Sequence, residues 1–107
     1  MASTKEYKEY ILEQLLLDGI SIKPMMGEYL LYYNGLLFGG IYDDRLLVKI
    51  VDTNKDYNMQ ESIPYKGAKT MYLVDDIDNQ ELLKEIVLST CKGLMKKWVN
   101  MNRCGNI

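Results

Sequence analysis

The sequence predicts an α+β domain in which an antiparallel sheet of about five strands is flanked by an N-terminal helix and a long C-terminal helix. Three observations carry that reading. Between Pro24 and Lys49, three apolar and aromatic runs are separated by Asn34-Gly35 and Asp43-Asp44. Asn-Gly between such runs is the strongest short hairpin signal, because a type I′ turn needs positive φ at both central residues. Toward both ends of the chain, apolar residues recur at helical rather than strand spacing. Finally, 107 residues with 48% apolar and 26% charged side chains suit one ordinary globular domain, residues 1–107.

Taken in order, residues Ser3 to Asp18 read as an amphipathic helix. Ser3 with Glu6 offers a capping box, Tyr7, Ile11 and Leu15 repeat at i, i+4 and i+8, and Gly19 supplies a left-handed stop. Ser21 to Met26 forms a first strand whose Pro24 lacks the amide a central strand must donate, which places it at a sheet edge or bulge. Gly27 lets the chain turn into a second strand, Tyr29 to Tyr33, apolar on both faces: Tyr29, Leu31 and Tyr33 on one, Leu30 and Tyr32 on the other. Either both faces are covered, or tyrosines line a surface open to a partner.

The third strand, Leu36 to Tyr42, is interrupted by Gly39-Gly40, which marks a bulge or the close approach of other atoms. A helix packed tightly over the sheet is the expected neighbour, with a ligand contact as the alternative. Arg45 to Val51 pairs back as a fourth strand. Asp52 to Ser62 is polar and weakly periodic, with at most a short helix capped near Asp52. Pro64 to Gly67 reads as a turn and Thr70 to Val74 as a fifth strand. Asp78, with Glu81 three residues on, opens a helix from about Asn79 to Val99 whose stripe is Leu83, Ile86, Val87, Thr90, Leu94 and Trp98. Lys96 and Lys97 suit its negative C-terminal end. Residues 100–107 are expected to fray.

Composition excludes several functions. No histidine and no CxxC pair are present, so the common zinc sites cannot be built within one chain. Cys91 reads as a buried apolar residue and Cys104 as a free thiol. Neither Cys91 nor Ser89 has an evident activating partner, so no enzyme activity and no cofactor are expected. Asp75, Asp76 and Asp78, with Asp43 and Asp44, could bind Mg²⁺ or Ca²⁺, but turn and helix-cap duties account for them. A net charge of −2 and dispersed lysines (Lys49, Lys55, Lys66, Lys69, Lys96, Lys97) give no footprint for direct nucleic-acid binding. Apolar runs fall far short of the roughly 20 residues a membrane helix needs. The N-terminus carries no signal core, so a cytoplasmic location is expected.

Two segments, Lys23-Pro24-Met25-Met26-Gly27-Glu28-Tyr29 and Leu31 to Ile41 with its Tyr33-Asn34-Gly35-Leu36-Leu37-Phe38-Gly39-Gly40, carry a family resemblance. Arg45 to Lys49, Pro64-Tyr65, Gly67-Ala68-Lys69, Met71 and Val74 continue it. Together they resemble the N-terminal domain of the TfoX/Sxy family of bacterial competence regulators, from about Lys5 to Trp98. The resemblance implies an α+β domain and a partner of the cyclic-AMP receptor type, in the regulation of DNA-uptake genes. Longer members carry a second, helical domain, which would begin where this sequence ends. The family supplies no catalytic residues, and Pro24, Gly27, Asn34, Gly35, Gly39 and Gly40 match its motif as backbone geometry.

The functional expectation is a protein–protein interaction module in transcription regulation, with Tyr29, Tyr32, Tyr33 and Tyr42 as the candidate partner-binding surface. Sheet edges make a homodimer a further expectation. The alternative is a small-molecule-binding domain using a pocket beside Gly39-Gly40.

Overall fold

In the computed structural model, which describes residues 3–15 and 17–105 and the side chains of 3–15 and 17–96, the central meander closes at its marked turns. β1 (Ile20–Met25), β2 (Glu28–Tyr33), β3 (Leu36–Ile41) and β4 (Leu46–Val48) follow one another antiparallel. Asn34 and Gly35 have φ of 50° and 83°, the left-handed pair a type I′ turn demands. Met26-Gly27, at 51° and 87°, and Asp43-Asp44, at 51° and 55°, have the same sign at both positions.

After the meander come β5 (Gln60–Ser62) and β6 (Met71–Val74), and the sheet order is β1-β2-β3-β4-β6-β5. The sheet thus has one strand more than expected. The addition, β5, is a polar three-residue edge strand with no apolar alternation to announce it. β1 lies at the other edge, where Pro24 belongs. β4 is shorter than expected because Lys49 to Val51 leave the ladder to meet a 3₁₀ helix, Asp52–Tyr57.

Helices α1 (Lys5–Gln14) and α2 (Gln80–Gly105) cover one face of the sheet. Ile11 and Leu15 from α1 and its exit, and Leu83, Ile86, Val87 and Cys91 from α2, close over Leu31, Phe38, Ile41, Leu46, Val48 and Val74. Each such large side chain, fully buried, contributes about 1.5–3 kcal/mol. The α2 stripe is buried as expected at Leu83, Ile86, Val87 and Thr90, while the side chains of Lys97, Trp98 and Cys104 lie outside the described residues.

Both helix caps sit one residue later than the sequence suggests. Thr4, not Ser3, caps α1, its hydroxyl accepting from the Tyr7 amide at 3.2 Å. Asn79, not Asp78, caps α2, its Oδ1 accepting from the Leu82 amide at 3.1 Å. In each case the expected cap has a tertiary task instead. Ser3 donates its hydroxyl to Glu28 Oε1 at 2.9 Å, and Asp78 accepts from the Tyr10 hydroxyl. Helix α1 also ends early, at Gln14, where Leu15 leaves helical geometry with ψ of 90°. Helix α2 runs on to Gly105 rather than ending at Val99, since Asn100 to Cys104 contain neither glycine nor proline. Residues 106 and 107, the end of the expected frayed tail, lie outside the described residues.

Candidate functional site

The glycine pair in β3 is explained by its neighbours. Between Leu31 and Tyr32 the β2–β3 register shifts: Leu31 faces Gly39 while Tyr32 faces Leu37, a bulge that leaves Phe38 extra. A Cβ on Gly39 would run into the Leu47 carbonyl oxygen and lie 2.9 Å from Val48 Cα. On Gly40 it would lie 2.5 Å from the Tyr29 carbonyl oxygen and 2.8 Å from the Tyr42 ring. The close approach is therefore by adjacent strand backbone and by Tyr42, not by a helix. Strand β4 is pressed against β3 at this point, and the ring of Tyr42 folds back over Gly40.

The candidate tyrosines divide between the two sheet faces, as period-two alternation requires. Tyr29 and Tyr33 share the face of Leu31 and pack against the helix-covered core. Lys8 Nζ stands 5.3 Å from the Tyr29 ring centroid. Tyr32 and Tyr42 belong to the opposite face, Tyr32 half-buried and Tyr42 only 6% exposed. Tyr42 meets Tyr65, whose ring centroid is 6.1 Å away at a 52° tilt. Burial, then the nearby Tyr65, Glu28 and Tyr32, push the Tyr42 hydroxyl above its ordinary pKa. Tyr65 was not a candidate in the sequence; Pro64-Tyr65 reads there as a turn, and only tertiary packing brings it onto the sheet.

Arg45 makes that packing possible. Its guanidinium donates Nη1 to the Ser62 hydroxyl at 2.6 Å and Nη2 to the Pro64 carbonyl at 3.2 Å, while Nε donates to the Tyr42 carbonyl at 3.2 Å. One side chain thus ties the end of the β3–β4 turn to the segment leaving β5. Beyond the tie, Pro64, Tyr65 and residues 68–70 form one wall of an open cleft of about 620 Å³. Leu37, Gly39 and Tyr42 line it from β3 and its exit, Lys49 and Val51 from the β4 exit, and Leu94 from α2. Lys69 and Met71 lie on the wall side. Lys49, Pro64, Tyr65, Ala68 and Lys69 all come from the segments that carry the family resemblance.

The β4 exit is held in place from below by Asn54 of the 3₁₀ helix. Asn54 is wholly buried and bonds the Val51 amide, the Lys49 carbonyl and the Thr90 hydroxyl. Thr53 donates to the Ser89 carbonyl, and the hydroxyls of Tyr57 and Ser89 lie 3.0 Å apart. Gly93 has no room for a side chain, since a Cβ there would lie 2.5 Å from Thr53 Oγ1 and 2.6 Å from Val51 Cγ2. The 3₁₀ helix is thereby docked on α2.

The remaining candidates stay apart. Asp44 accepts from the Thr4 amide at 2.7 Å, and Asp75 and Asp76 are exposed ahead of α2. Among the described residues, no three histidine, cysteine or acidic side chains are placed to hold a metal ion. Cys91 is buried in the core, which pushes its thiol up to about 11. Among the described residues no helix is long and apolar enough to cross a membrane.

Comparison with known proteins adds two findings. A family model described as TfoX N-terminal domain matches residues 11–92. An uncharacterized 12.7 kDa protein in the trpE 5′ region of Spirochaeta aurantia is 30% identical over 83 residues, a match covering 72% of this chain and 70% of the relative.

Proposed function

Because the chain belongs to the TfoX N-terminal domain family, which is associated with competence, we propose that it is a non-enzymatic protein–protein interaction module that helps regulate transcription. Its partner is a transcription factor of the cyclic-AMP receptor type, met in the cytoplasm. The observation that supports this reading is the sheet face opposite the helices. There Leu30, Tyr32 and Leu37 stay half-buried, and Tyr65, packed against Tyr42, is 57% exposed. Tyrosine and aliphatic side chains at a partly wet surface, on a rigid sheet, suit the core of a protein interface. Tyr29 and Tyr33, committed to the fold's own core, drop out of that surface.

The test is a calorimetric titration of the full chain with the cyclic-AMP receptor-type protein of the same cell, with and without cyclic AMP. Saturable binding is expected, weakened at least about tenfold by Tyr65→Ser, because aromatic residues dominate interface energetics. Tyr65 is exposed enough that the variant keeps its melting temperature, and Tyr29→Phe serves as a core control. Absence of binding under both conditions would overturn the reading.

A further inference from the structure

We propose that the cleft between the β4 exit and the wall of Pro64, Tyr65 and residues 68–70 is a binding site for a small organic anion. The ligand's apolar body would lie against Leu37, Met71 and Leu94, and its carboxylate or phosphate between Lys49 and Lys69. This ligand site shares Leu37 and Tyr65 with the face proposed to dock a protein, and its test needs no protein partner.

Size, charge and an idle hydroxyl converge here. The cleft's volume, about 620 Å³, lies within the range of small-molecule sites. Its lining contains two lysines and no aspartate or glutamate. Among the described residues the one ion pair joins Lys55 to Asp52, so neither Lys49 nor Lys69 is neutralised by a carboxylate. Lys49 is also half-buried, which strengthens its attraction for an anion relative to a fully solvated lysine. Tyr42, 6% exposed, lines the same space, and its hydroxyl has no hydrogen-bond partner among the described residues. No fully buried side-chain polar atom among the described residues is left unpaired, so that hydroxyl reaches solvent rather than being sealed. The site is built rather than incidental. Arg45 fixes its wall and Asn54 fixes its floor, which limits the ordering that a ligand would otherwise impose.

The experiment titrates ¹⁵N-labelled protein with phenyl phosphate, with phenylacetate and with neutral benzyl alcohol at constant ionic strength. The anions are expected to shift the Gly39, Ala68 and Thr70 amides saturably, at about millimolar concentration or below. Benzyl alcohol is expected to bind more weakly, and the tighter of the two anions identifies the head group. Lys49→Gln with Lys69→Gln is expected to weaken anion binding about tenfold or more, as loss of charge-assisted contacts does. Tyr42→Phe keeps the ring over Gly40 and weakens binding about threefold or more. Lys84→Gln, on the exposed side of α2 and outside the cleft, leaves it unchanged. Shifts scattered over the surface, equal binding of the neutral probe, or full affinity in the double lysine variant would each overturn the proposal. Spectra of the unliganded variants verify that the fold is kept.

Discussion

Asn54→Ala is the substitution through which the architecture is most open to refutation. Asn54 is 0% exposed, and its amide makes three hydrogen bonds: Oδ1 accepts from the Val51 amide at 3.1 Å, and Nδ2 donates to the Lys49 carbonyl and the Thr90 hydroxyl, each at 2.8 Å. Thr90 donates its own hydroxyl to the Ile86 carbonyl at 2.7 Å. Truncation leaves a buried amide and a partly buried carbonyl without partners, and each orphan costs about 1–3 kcal/mol. A total near 3 kcal/mol is a large share of the roughly 5–15 kcal/mol that holds a domain together. It lowers Tm by roughly 10–15 °C in a chain of this size. Thr90→Val preserves shape and removes two bonds, the one from Asn54 and the one to the Ile86 carbonyl, for about 1–2 kcal/mol. Since the two side chains bond each other, the double variant should cost less than the sum by about 0.5–1 kcal/mol. Urea unfolding followed by far-ultraviolet circular dichroism measures all three. A loss below about 1 kcal/mol in Asn54→Ala, or strict additivity in the double variant, would refute the argument.

Three further outcomes follow from the same geometry. Gly40→Ala sets a methyl 2.5 Å from a strand carbonyl that cannot retreat, so a loss of about 2–3 kcal/mol or failure to fold is expected in thermal melts. Met26, 97% exposed at φ of 51°, occupies a turn position suited to asparagine, so Met26→Asn should stabilise by about 0.5–1 kcal/mol in urea. Cys91 has a folded-state pKa raised from 9.0 to about 11, so its contribution to stability is fully present below pH 9 and is lost as pH rises through 11. In a Cys104→Ser background, the Cys91 thiol should therefore resist alkylation at pH 8 until urea unfolds the chain. Rapid labelling of the native protein would contradict its burial.

The parts of this fold legible in the sequence are those decided by residues close together in the chain. Asn34-Gly35 announces its turn because only local φ values matter, and Pro24 announces an edge because only its missing amide matters. The stripe from Leu83 to Thr90 is equally local. What failed depends on distant partners. The choice of Thr4 over Ser3 as cap turns on Glu28, which claims Ser3 from across the sheet. β5 has no pattern of its own and forms because β6 offers a ladder.

The same reasoning explains the candidate site. Gly39-Gly40 correctly marked a crowded point, yet what crowds it, a strand carbonyl and the Tyr42 ring, is a matter of register and bulge. The tyrosines of β2 could be sorted into faces by alternation, but which face the helices take is a tertiary outcome. Arg45 entered only as part of a matched segment and Asn54 only beside a possible helix cap, and neither clamp is announced in the sequence. An arginine after a turn and an asparagine in a polar stretch look like surface residues until the segments they clamp are known.

Hydrogen exchange on the full chain, alone and with the cyclic-AMP receptor-type protein, tests the central claim most directly. It maps which face meets the partner. Protection is expected over residues 29–37 and 62–70, the helix-free side of the sheet and its wall, with α1 and the exposed side of α2 unchanged. Protection confined to the helices, or none anywhere, would contradict it.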